Sequence, residues 1–329
     1  MPQPKSTDFS PLWLVDWSDE EDADFRWAWE SGKLSVRVLR SRPTGPTVGQ
    51  PRHRLHSWPA YAGLAARGLA ASRGGPLVAW QPIAGALAAL VRRGSRPPLT
   101  LLNPILHGAR SAPQRMMLRG AARADRVIFF SRRAVDQAVG LGLDPRRTMF
   151  VPLGVRANPS PGPDPAGGHL LAVGRDERDW PTLARASAGL ELEVRAVGAP
   201  PDLDLGPIRR MPQVTQGGLR AMMADATAVV VPLPRPDRTA GQLTVLLAMS
   251  VGRAVVATRT QGTEDYVTPE SGFLVPPGDV GALRRAMVDV ADPDAARQLG
   301  RGALGLAQGS FSLERFVARV DAAVPRNGS

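Results

Sequence analysis

The sequence predicts an α/β protein with two domains, each built on a parallel sheet that helices cover on both faces. Three observations lead to this prediction. Short runs that are apolar throughout, such as 254–258, are typical of strands buried inside a parallel sheet. Strand-like and helix-like segments alternate along the chain. The alternation stops once, at 157–168, where four prolines and three glycines in twelve residues exclude regular structure.

The first half of the chain contains six predicted strands. Most are short apolar runs, and 34–39 alternates apolar and polar residues as a strand with one buried face does. Longer segments with apolar residues at helical spacing separate them. Strands are predicted at 11–15, 34–39, 76–80, 99–102, 126–130 and 148–152, and helices at 58–72, 83–93, 115–124 and 134–140.

The alternation starts again after the Pro/Gly-rich segment. An apolar strand is predicted at 169–173, a helix at 244–250, a strand at 254–258 and a hairpin-like segment at 271–279. A last helix, 313–324, either stays in the second domain or crosses back onto the first. The sequence therefore predicts a domain at 1–156, a linker at 157–168 and a domain at 169–329. Each domain is expected to be Rossmann-like, and the two to face each other across a cleft.

Composition excludes several classes of protein. The chain has 329 residues, enough for two cores, and no cysteine, so it has no disulfide, no thiolate zinc site and no cysteine nucleophile. No apolar run approaches the length of a membrane-spanning helix. The first residues lack the basic-then-apolar form of a signal peptide. A cytoplasmic location is predicted.

The positive charge is concentrated in one region. Residues 51–150 carry 16 basic and 3 acidic side chains, whereas the rest of the chain is close to neutral, and the net charge is +11. A solvated surface without a special role and a patch that faces an anionic membrane or acceptor both fit this excess. A nucleic-acid binder is a third interpretation. The region lacks the exposed aromatics and recognised modules that would favour it.

The segment 241–279 resembles the donor half of glycosyltransferase family 4, whose retaining enzymes have the two-domain GT-B architecture. The resemblance is strongest from about residue 170 to 325. The segment 151–155, Val-Pro-Leu-Gly-Val, is similar to the interdomain segment of that family. The matching positions are Ala248, Met249, Gly252, 255–258, Gly262, Glu264 and 274–279.

The resemblance implies a donor site for a nucleotide-diphosphate sugar, which is a substrate; no cofactor is expected. In the family, an arginine and a lysine after the first strand of this domain grip the diphosphate, and a glycine-containing helical turn contacts the phosphates. Arg178 stands at about the position of the lysine. Arginine keeps the positive charge and binds phosphate in bidentate fashion. The alternative interpretation of Thr244 is a simple helix N-cap. The donor-binding residues implied are Gly174, Arg175, Arg178, Gly241, Gln242 and Thr244.

Two positions depart from the family pattern. Its members have two glutamates eight residues apart, and the second binds the ribose hydroxyls of the nucleotide. Here the positions hold Thr239 and Leu247. Three accounts stay open. Another acidic group, Asp237 or Glu264, substitutes; the donor is unusual; or the site has lost activity.

The resemblance also implies two residues near the reacting sugar. His107 follows the predicted strand 99–102, where the family places a histidine, and a structural role in a loop is its alternative. Glu264 is expected to touch the sugar or a phosphate. Three Asp-x-Asp sequences, at 22–24, 202–204 and 292–294, do not follow strands, so no metal site is predicted.

The function predicted from these residues is transfer of a sugar, with retention of configuration, from a nucleotide-diphosphate sugar to an acceptor hydroxyl. The expected partners are the nucleotide sugar and an acceptor that the sequence does not identify. Peripheral contact with an anionic membrane through residues 51–150 is a further expectation. The alternative is a catalytically degenerate subunit of glycosyltransferase type that only binds a partner, which the substitutions at Thr239 and Leu247 favour.

Overall fold

The structure is a computed structural model that describes residues 11–15, 37–40, 58–92, 97–106, 111–158, 168–174 and 178–325. The chain divides into two compact units. The first unit comprises residues 1–151 together with 317–329, and the second comprises residues 152–316. The domain limits derived from the sequence stay a prediction.

The first unit contains a sheet of six strands, and every pair of neighbours is parallel. The strand order is β2-β1-β3-β4-β5-β6. Most of these strands are buried along their whole length, as expected for a sheet covered on both faces. They are β1 (Leu12–Val15), β2 (Arg37–Arg40), β3 (Leu77–Ala79), β4 (Leu99–Leu102), β5 (Arg126–Phe129) and β6 (Thr148–Phe150).

Within the described residues, four helices follow strands of this sheet: α1 (Trp58–Ala71), α2 (Pro82–Val91), α3 (Ala112–Arg123) and α4 (Arg132–Gly140). Helices α2 and α3 approach closely because their contact is made by small residues. A Cβ atom at Gly120 would lie 2.6 Å from the Cα atom of Ala86. Polar side chains cap three helix starts: Gln81, Ser111 and Ser131 each accept a hydrogen bond from a backbone N–H in the first turn.

The second unit also contains a parallel sheet of six strands, in the order β12-β11-β10-β7-β8-β9. The prediction of a hairpin-like segment at 271–279 is wrong, because β12 pairs in parallel with β11 and forms one edge of the sheet. The strands are β7 (His169–Val173), β8 (Glu193–Val197), β9 (Arg209–Met211), β10 (Ala228–Val231), β11 (Ala254–Thr258) and β12 (Gly272–Val275).

The helices that follow begin with α5 (Trp180–Ser187), α6 (Gln216–Asp225), α7 (Gln242–Ser250), α8 (Val280–Ala291) and α9 (Pro293–Gln308). The last helix, α10 (Leu313–Ala323), begins in the second unit and continues into the first, because residues from 317 onward belong to the first unit. There the Nε atom of Arg126 donates a hydrogen bond to the carbonyl oxygen of Ala323, 3.3 Å away.

The predicted fold class is confirmed, since each unit is a Rossmann-like arrangement of a parallel sheet and helices. No helix within the described ranges is long and apolar enough to cross a membrane.

Candidate active site

The strand order of the second sheet creates a place where ligands bind in open α/β proteins. From β7 the chain proceeds to β8 and β9 on one side, and then returns to lay β10 on the other side of β7. The carboxyl ends of β7 and β10 therefore flank a topological switch point, where loops diverge and leave a crevice. The N–H of Asp179, after β7, donates to the carbonyl of Pro232, after β10, at 3.0 Å. This bond joins the two loops beneath the crevice.

Gly174 is the first residue after β7, and its conformation requires glycine. Its φ is +140°, and a Cβ atom at this position would lie 2.3 Å from the Nε atom of Arg178. Its N–H donates to the carbonyl of Val197 at 3.0 Å, which continues the pairing of β7 with β8. The missing side chain is what lets the guanidinium of Arg178 lie directly over the end of the strand.

Arg178 connects the end of β7 to the start of α7. Its Nε atom donates to the carbonyl of Val173 at 2.7 Å, and its Nη2 atom donates to the hydroxyl of Thr244 at 3.1 Å. The side chain is half-buried. The structure thus brings together Gly174, Arg178 and Thr244, three of the residues predicted for the donor site.

Helix α7 begins at this point without a side-chain cap. Gly241 is its N-cap residue, with φ of 87° and ψ of −14°, and a glycine has no side chain with which to cap the first-turn N–H groups. The interpretation of Thr244 as the N-cap is therefore wrong, because Thr244 lies inside the first turn. Gln242 is buried. An uncapped helix N-terminus beside a guanidinium attracts anions. The partial positive charge of the first N–H groups and the full charge of the arginine lie close together there.

Glu264 lies in the loop that follows β11 and is half-buried. Its N–H donates to the carbonyl of Thr260 at 3.1 Å. The loop packs tightly on the segment that leads into α7: a Cβ atom at Gly262 would lie 2.1 Å from the carbonyl oxygen of Ala240. A small cavity beside that segment is lined by Leu233, Pro234, Arg235, Arg238 and Ala240.

Residues 166–292, which include all of these features, match the family model described as Glycosyl transferases group 1. The second half of the chain carries a glycosyltransferase domain. The predicted enzyme class, a glycosyltransferase, is confirmed by this match. No curated protein matches the sequence significantly.

Solved structures resemble the whole chain. Sucrose-phosphate synthase from Thermosynechococcus elongatus has a TM-score of 0.75 and 19% identity, over 95% of this chain and 98% of that one. HepE from Anabaena in complex with UDP-glucose has a TM-score of 0.67 and 16% identity, over 96% and 100%. A glycosyltransferase from Rickettsia africae has a TM-score of 0.65 and 13% identity, over 96% and 98%. At these identities the similarity shows the GT-B fold.

Leu247 and Thr239, the two positions that the sequence comparison with family 4 singled out, have different surroundings in this glycosyltransferase domain. Leu247 is 4% exposed and lies in the apolar interior. The hydroxyl of Thr239 accepts a hydrogen bond from Nε2 of Gln261 at 2.9 Å. Asp237, one of the proposed substitutes, forms an ion pair with Arg235 at 3.1 Å. Its carboxylate is thus already engaged with a neighbouring guanidinium.

Sequence reasoning missed Gln261. The available signal was the segment Thr-Gln-Gly-Thr at 260–263, which follows Arg259 at the end of a buried strand. Arg175 and His107 lie outside the described residues, so their roles stay predictions. Of the Asp-x-Asp sequences, Asp204 accepts a hydrogen bond from the N–H of Gly206 and Asp292 caps helix α9.

The switch point of the first sheet, between β1 and β3, is lined by aromatic side chains, which sequence reasoning also missed. Trp80 follows β3, and its ring lies 6.4 Å from that of Trp13 and 5.6 Å from that of Phe130. The N–H groups of Trp80 and Gln81 both donate to the carbonyl of Leu14, at 3.0 and 3.1 Å. The indole Nε1 of Trp13 is buried and has no hydrogen-bond partner within the described part of the chain.

Two side chains with strongly shifted pKa values lie elsewhere in the second unit. The hydrogen bond from Arg195 lowers the pKa of Glu193 to about 2, and Arg209 adds to the effect. Burial raises the pKa of the Tyr266 phenol well above its usual range. The Tyr266 oxygen accepts a hydrogen bond from the N–H of Leu153 at 3.0 Å. We assign both residues structural roles.

Proposed function

We propose that the protein transfers a sugar from a nucleotide-diphosphate sugar to an acceptor hydroxyl, with retention of the anomeric configuration. The observation that carries the proposal is the position of Arg178. Its guanidinium is held between the carbonyl of Val173 and the hydroxyl of Thr244, at the uncapped start of α7 and at the switch point of the sheet. That HepE is described in complex with UDP-glucose supports a nucleotide sugar as the donor.

The chemistry needs positive charge at this place. Transfer breaks the bond between the anomeric carbon and a diphosphate oxygen, and the diphosphate keeps the bonding electron pair. A new bond forms from the anomeric carbon to the acceptor oxygen, which gives up its proton. Arg178 and the N–H groups of α7 stabilise the charge that grows on the leaving diphosphate. We propose that Arg175 acts with them, and that these cations make a metal ion unnecessary.

Glu264 and His107 complete the proposed machinery. Glu264 is proposed to contact the donor sugar or a phosphate, and its half-buried place in the loop after β11 supports that role. His107, carried over from the family pattern, is proposed to lie near the reacting sugar. The acceptor is proposed to bind the first unit.

One observation favours the alternative, a degenerate subunit that binds a partner without turnover. Leu247 is buried among apolar groups and offers no acceptor for the ribose hydroxyls. A carboxylate that accepts such hydrogen bonds contributes about 1.5–3 kcal/mol to binding. The alternative therefore predicts weak or absent nucleotide binding.

The test is calorimetric titration with UDP, GDP, ADP and dTDP. We expect one nucleotide to bind at micromolar concentration and Arg178→Ala to weaken that binding about 10- to 100-fold, because a charged hydrogen-bonding group is lost. Arg175→Ala is expected to weaken it in the same direction. Arg301→Ala, which removes an exposed arginine from α9, is the matched control and should change nothing.

Turnover is tested separately from binding. Release of the nucleotide from the glucose conjugate of the preferred base, with and without candidate sugar acceptors, reports catalytic competence. Absence of binding by any of the four nucleotides would exclude the donor site and favour the degenerate subunit. If a nucleotide binds but is not released from its sugar conjugate under any condition, the protein binds nucleotides without catalysing transfer.

We propose a cytoplasmic protein that contacts anionic membrane reversibly. Arg115, Arg119 and Arg123 are exposed and recur every four residues on α3, so they share one face of that helix. Each cation near an anionic surface contributes about 1 kcal/mol. We expect binding to phosphatidylglycerol vesicles that high salt abolishes and Arg119→Glu weakens. Equal binding to phosphatidylcholine vesicles would contradict the proposal.

A further inference from the structure

Gln261 is a buried amide of which only one end is satisfied. The residue is 2% exposed. Its Nε2 atom donates to the hydroxyl of Thr239 at 2.9 Å, and its backbone N–H donates to the carbonyl of Pro236, also at 2.9 Å. Its Oε1 atom is buried and has no hydrogen-bond partner among the described residues.

An unpartnered buried amide oxygen is rare in folded proteins, because removing it from water without a new hydrogen bond is costly. Rotating the side-chain amide by half a turn, which exchanges its oxygen and nitrogen, still leaves one buried atom without a partner. The oxygen would then face Thr239, and the nitrogen would become the unpartnered atom. The position therefore retains one unused hydrogen-bonding group in either orientation, which points to a ligand that supplies the missing partner.

The location of this group identifies the ligand class. The loop that carries Gln261 packs on the segment that leads into α7, as the 2.1 Å approach calculated for a Cβ atom at Gly262 to Ala240 shows. Thr239 precedes Gly241, the N-cap of α7, by two residues. In the proposed function the donor diphosphate lies at this helix start. The groups attached to a diphosphate on its two sides, ribose and the transferred sugar, are both rich in hydroxyls.

We propose that Gln261 binds a hydroxyl of the nucleotide-sugar donor, and that Thr239 is the positioning residue that fixes the amide. The amide oxygen would accept the hydroxyl proton. An amide oxygen accepts a hydrogen bond from a hydroxyl as a carboxylate does, and it adds no negative charge beside the diphosphate. The Thr239–Gln261 pair thus supplies hydrogen bonding close to a position where the family pattern has a glutamate. This inference rests on the proposed function.

The experiment measures the affinity of Gln261→Leu for UDP and UDP-glucose, or for the diphosphate and glucose conjugate of whichever base the wild type prefers. We expect binding about tenfold weaker than wild type for the conjugate. The double variant Thr239→Val, Gln261→Leu replaces both partners by apolar groups of similar shape and should be as weak a binder. Gln308→Leu is the matched control, because that exposed amide lies in α9 and donates to the carbonyl of Asn158.

The melting temperature without ligand separates recognition from a structural role. Replacing both partners by apolar groups removes an unsatisfied polar atom, so the double variant should melt at the wild-type temperature or above it. A purely structural amide predicts the reverse, a lower melting temperature with unchanged affinity. If Gln261→Leu folds poorly, Gln261→Met provides a second measurement of the affinity, because the methionine side chain is unbranched like that of glutamine.

The two probes distinguish the source of the hydroxyl. Weaker binding of the glucose conjugate alone places the hydroxyl on the transferred sugar, and equal weakening of both probes places it on the ribose. Unchanged affinity for both probes, with the wild type binding normally, overturns this inference and leaves the proposed function standing. A wild type that binds neither probe overturns the proposed function and this inference together.

Discussion

At the switch point of the first sheet, Trp80 follows the strand and its ring contacts two further aromatic rings. At the switch point of the second sheet, Gly174 follows the strand, and the guanidinium of Arg178 occupies the space that a side chain at this position would fill. The two sheets differ in the position of their third strand, which lies beside the first strand in one unit and at the edge of the sheet in the other, and both sheets are parallel throughout. The two switch points therefore present different chemical groups, aromatic rings in the first unit and a guanidinium in the second.

The contrast has a physical cause in each unit. At the first switch point, the backbone N–H groups of Trp80 and Gln81 both donate to the carbonyl of Leu14. These main-chain donors are therefore used in hydrogen bonds within the protein. At the second, the N–H groups that begin α7 have no side-chain cap. The N–H groups of a helix start beside an arginine attract phosphate, whereas aromatic rings favour an apolar face.

The largest effect is expected at the aromatic switch point. Trp13→Ala should lower the free energy of unfolding of the first unit by about 3–5 kcal/mol, because a buried indole leaves a large cavity. Urea unfolding followed by circular dichroism measures the loss, and nucleotide affinity should not change. Trp13→Phe should cost much less, since the indole Nε1 has no partner to lose. A change in nucleotide affinity would show that the two switch points are coupled.

Gly174→Ala tests the second switch point without altering any charge. We expect about 1–3 kcal/mol of destabilisation from the positive φ, and a loss of nucleotide binding because the added methyl group displaces Arg178. Calorimetry and thermal melting measure the two effects. Gly305→Ala, in α9 with no atom within 4 Å of the new Cβ, should stabilise the protein instead. If Gly174→Ala binds the nucleotide normally, Arg178 does not contribute to the donor site.

Thr244→Val removes the hydroxyl that accepts the hydrogen bond from Arg178 and keeps the shape of the side chain. The expected loss in nucleotide binding is about 1 kcal/mol, roughly fivefold, because the guanidinium is less well fixed. Thr244→Ser keeps the hydroxyl and should bind like the wild type. If the serine variant is as weak as the valine variant, packing rather than the hydrogen bond positions Arg178.

The smallest effect concerns pH and lies away from either switch point. The pKa of Glu193 is lowered from 4.5 to about 2 by Arg195. The carboxylate therefore stabilises the fold above about pH 4.5, and this contribution is lost as the pH falls from 4.5 toward 2. Because the side chain is 38% exposed, the effect should stay below about 1 kcal/mol. Melting temperatures of wild type and Glu193→Gln should converge over that pH range; parallel curves would contradict the assignment.

Buried strands were the most predictable part of the fold. The strands 99–102, 169–173 and 254–258 are confirmed at both ends, because a short apolar run has few alternatives inside a parallel sheet. Strand β12 was predicted as part of a hairpin, since Pro-Pro-Gly at 276–278 is typical of a turn. Its true partner, β11, is set by the packing of the whole sheet.

The candidate site was predictable residue by residue but not as an arrangement. Gly174 and Arg178 follow a strand, and Gly241 and Thr244 open a helix, which local patterns show. The hydrogen bond from Arg178 to Thr244 spans 66 residues, and that from Gln261 to Thr239 spans 22. Such pairings depend on which loops the sheet brings together. The contacts of Trp80 with two other aromatic rings were missed for the same reason.

The route of the chain through α10 has a consequence for synthesis. The first unit includes residues 317–329 and uses the carbonyl of Ala323 to hold Arg126, although the second unit lies between them in sequence. On the ribosome, where the N-terminal part emerges first, the first unit must wait for the second to be translated before its last segment can dock. The second unit can assemble from a continuous stretch, so it is the part expected to complete folding first.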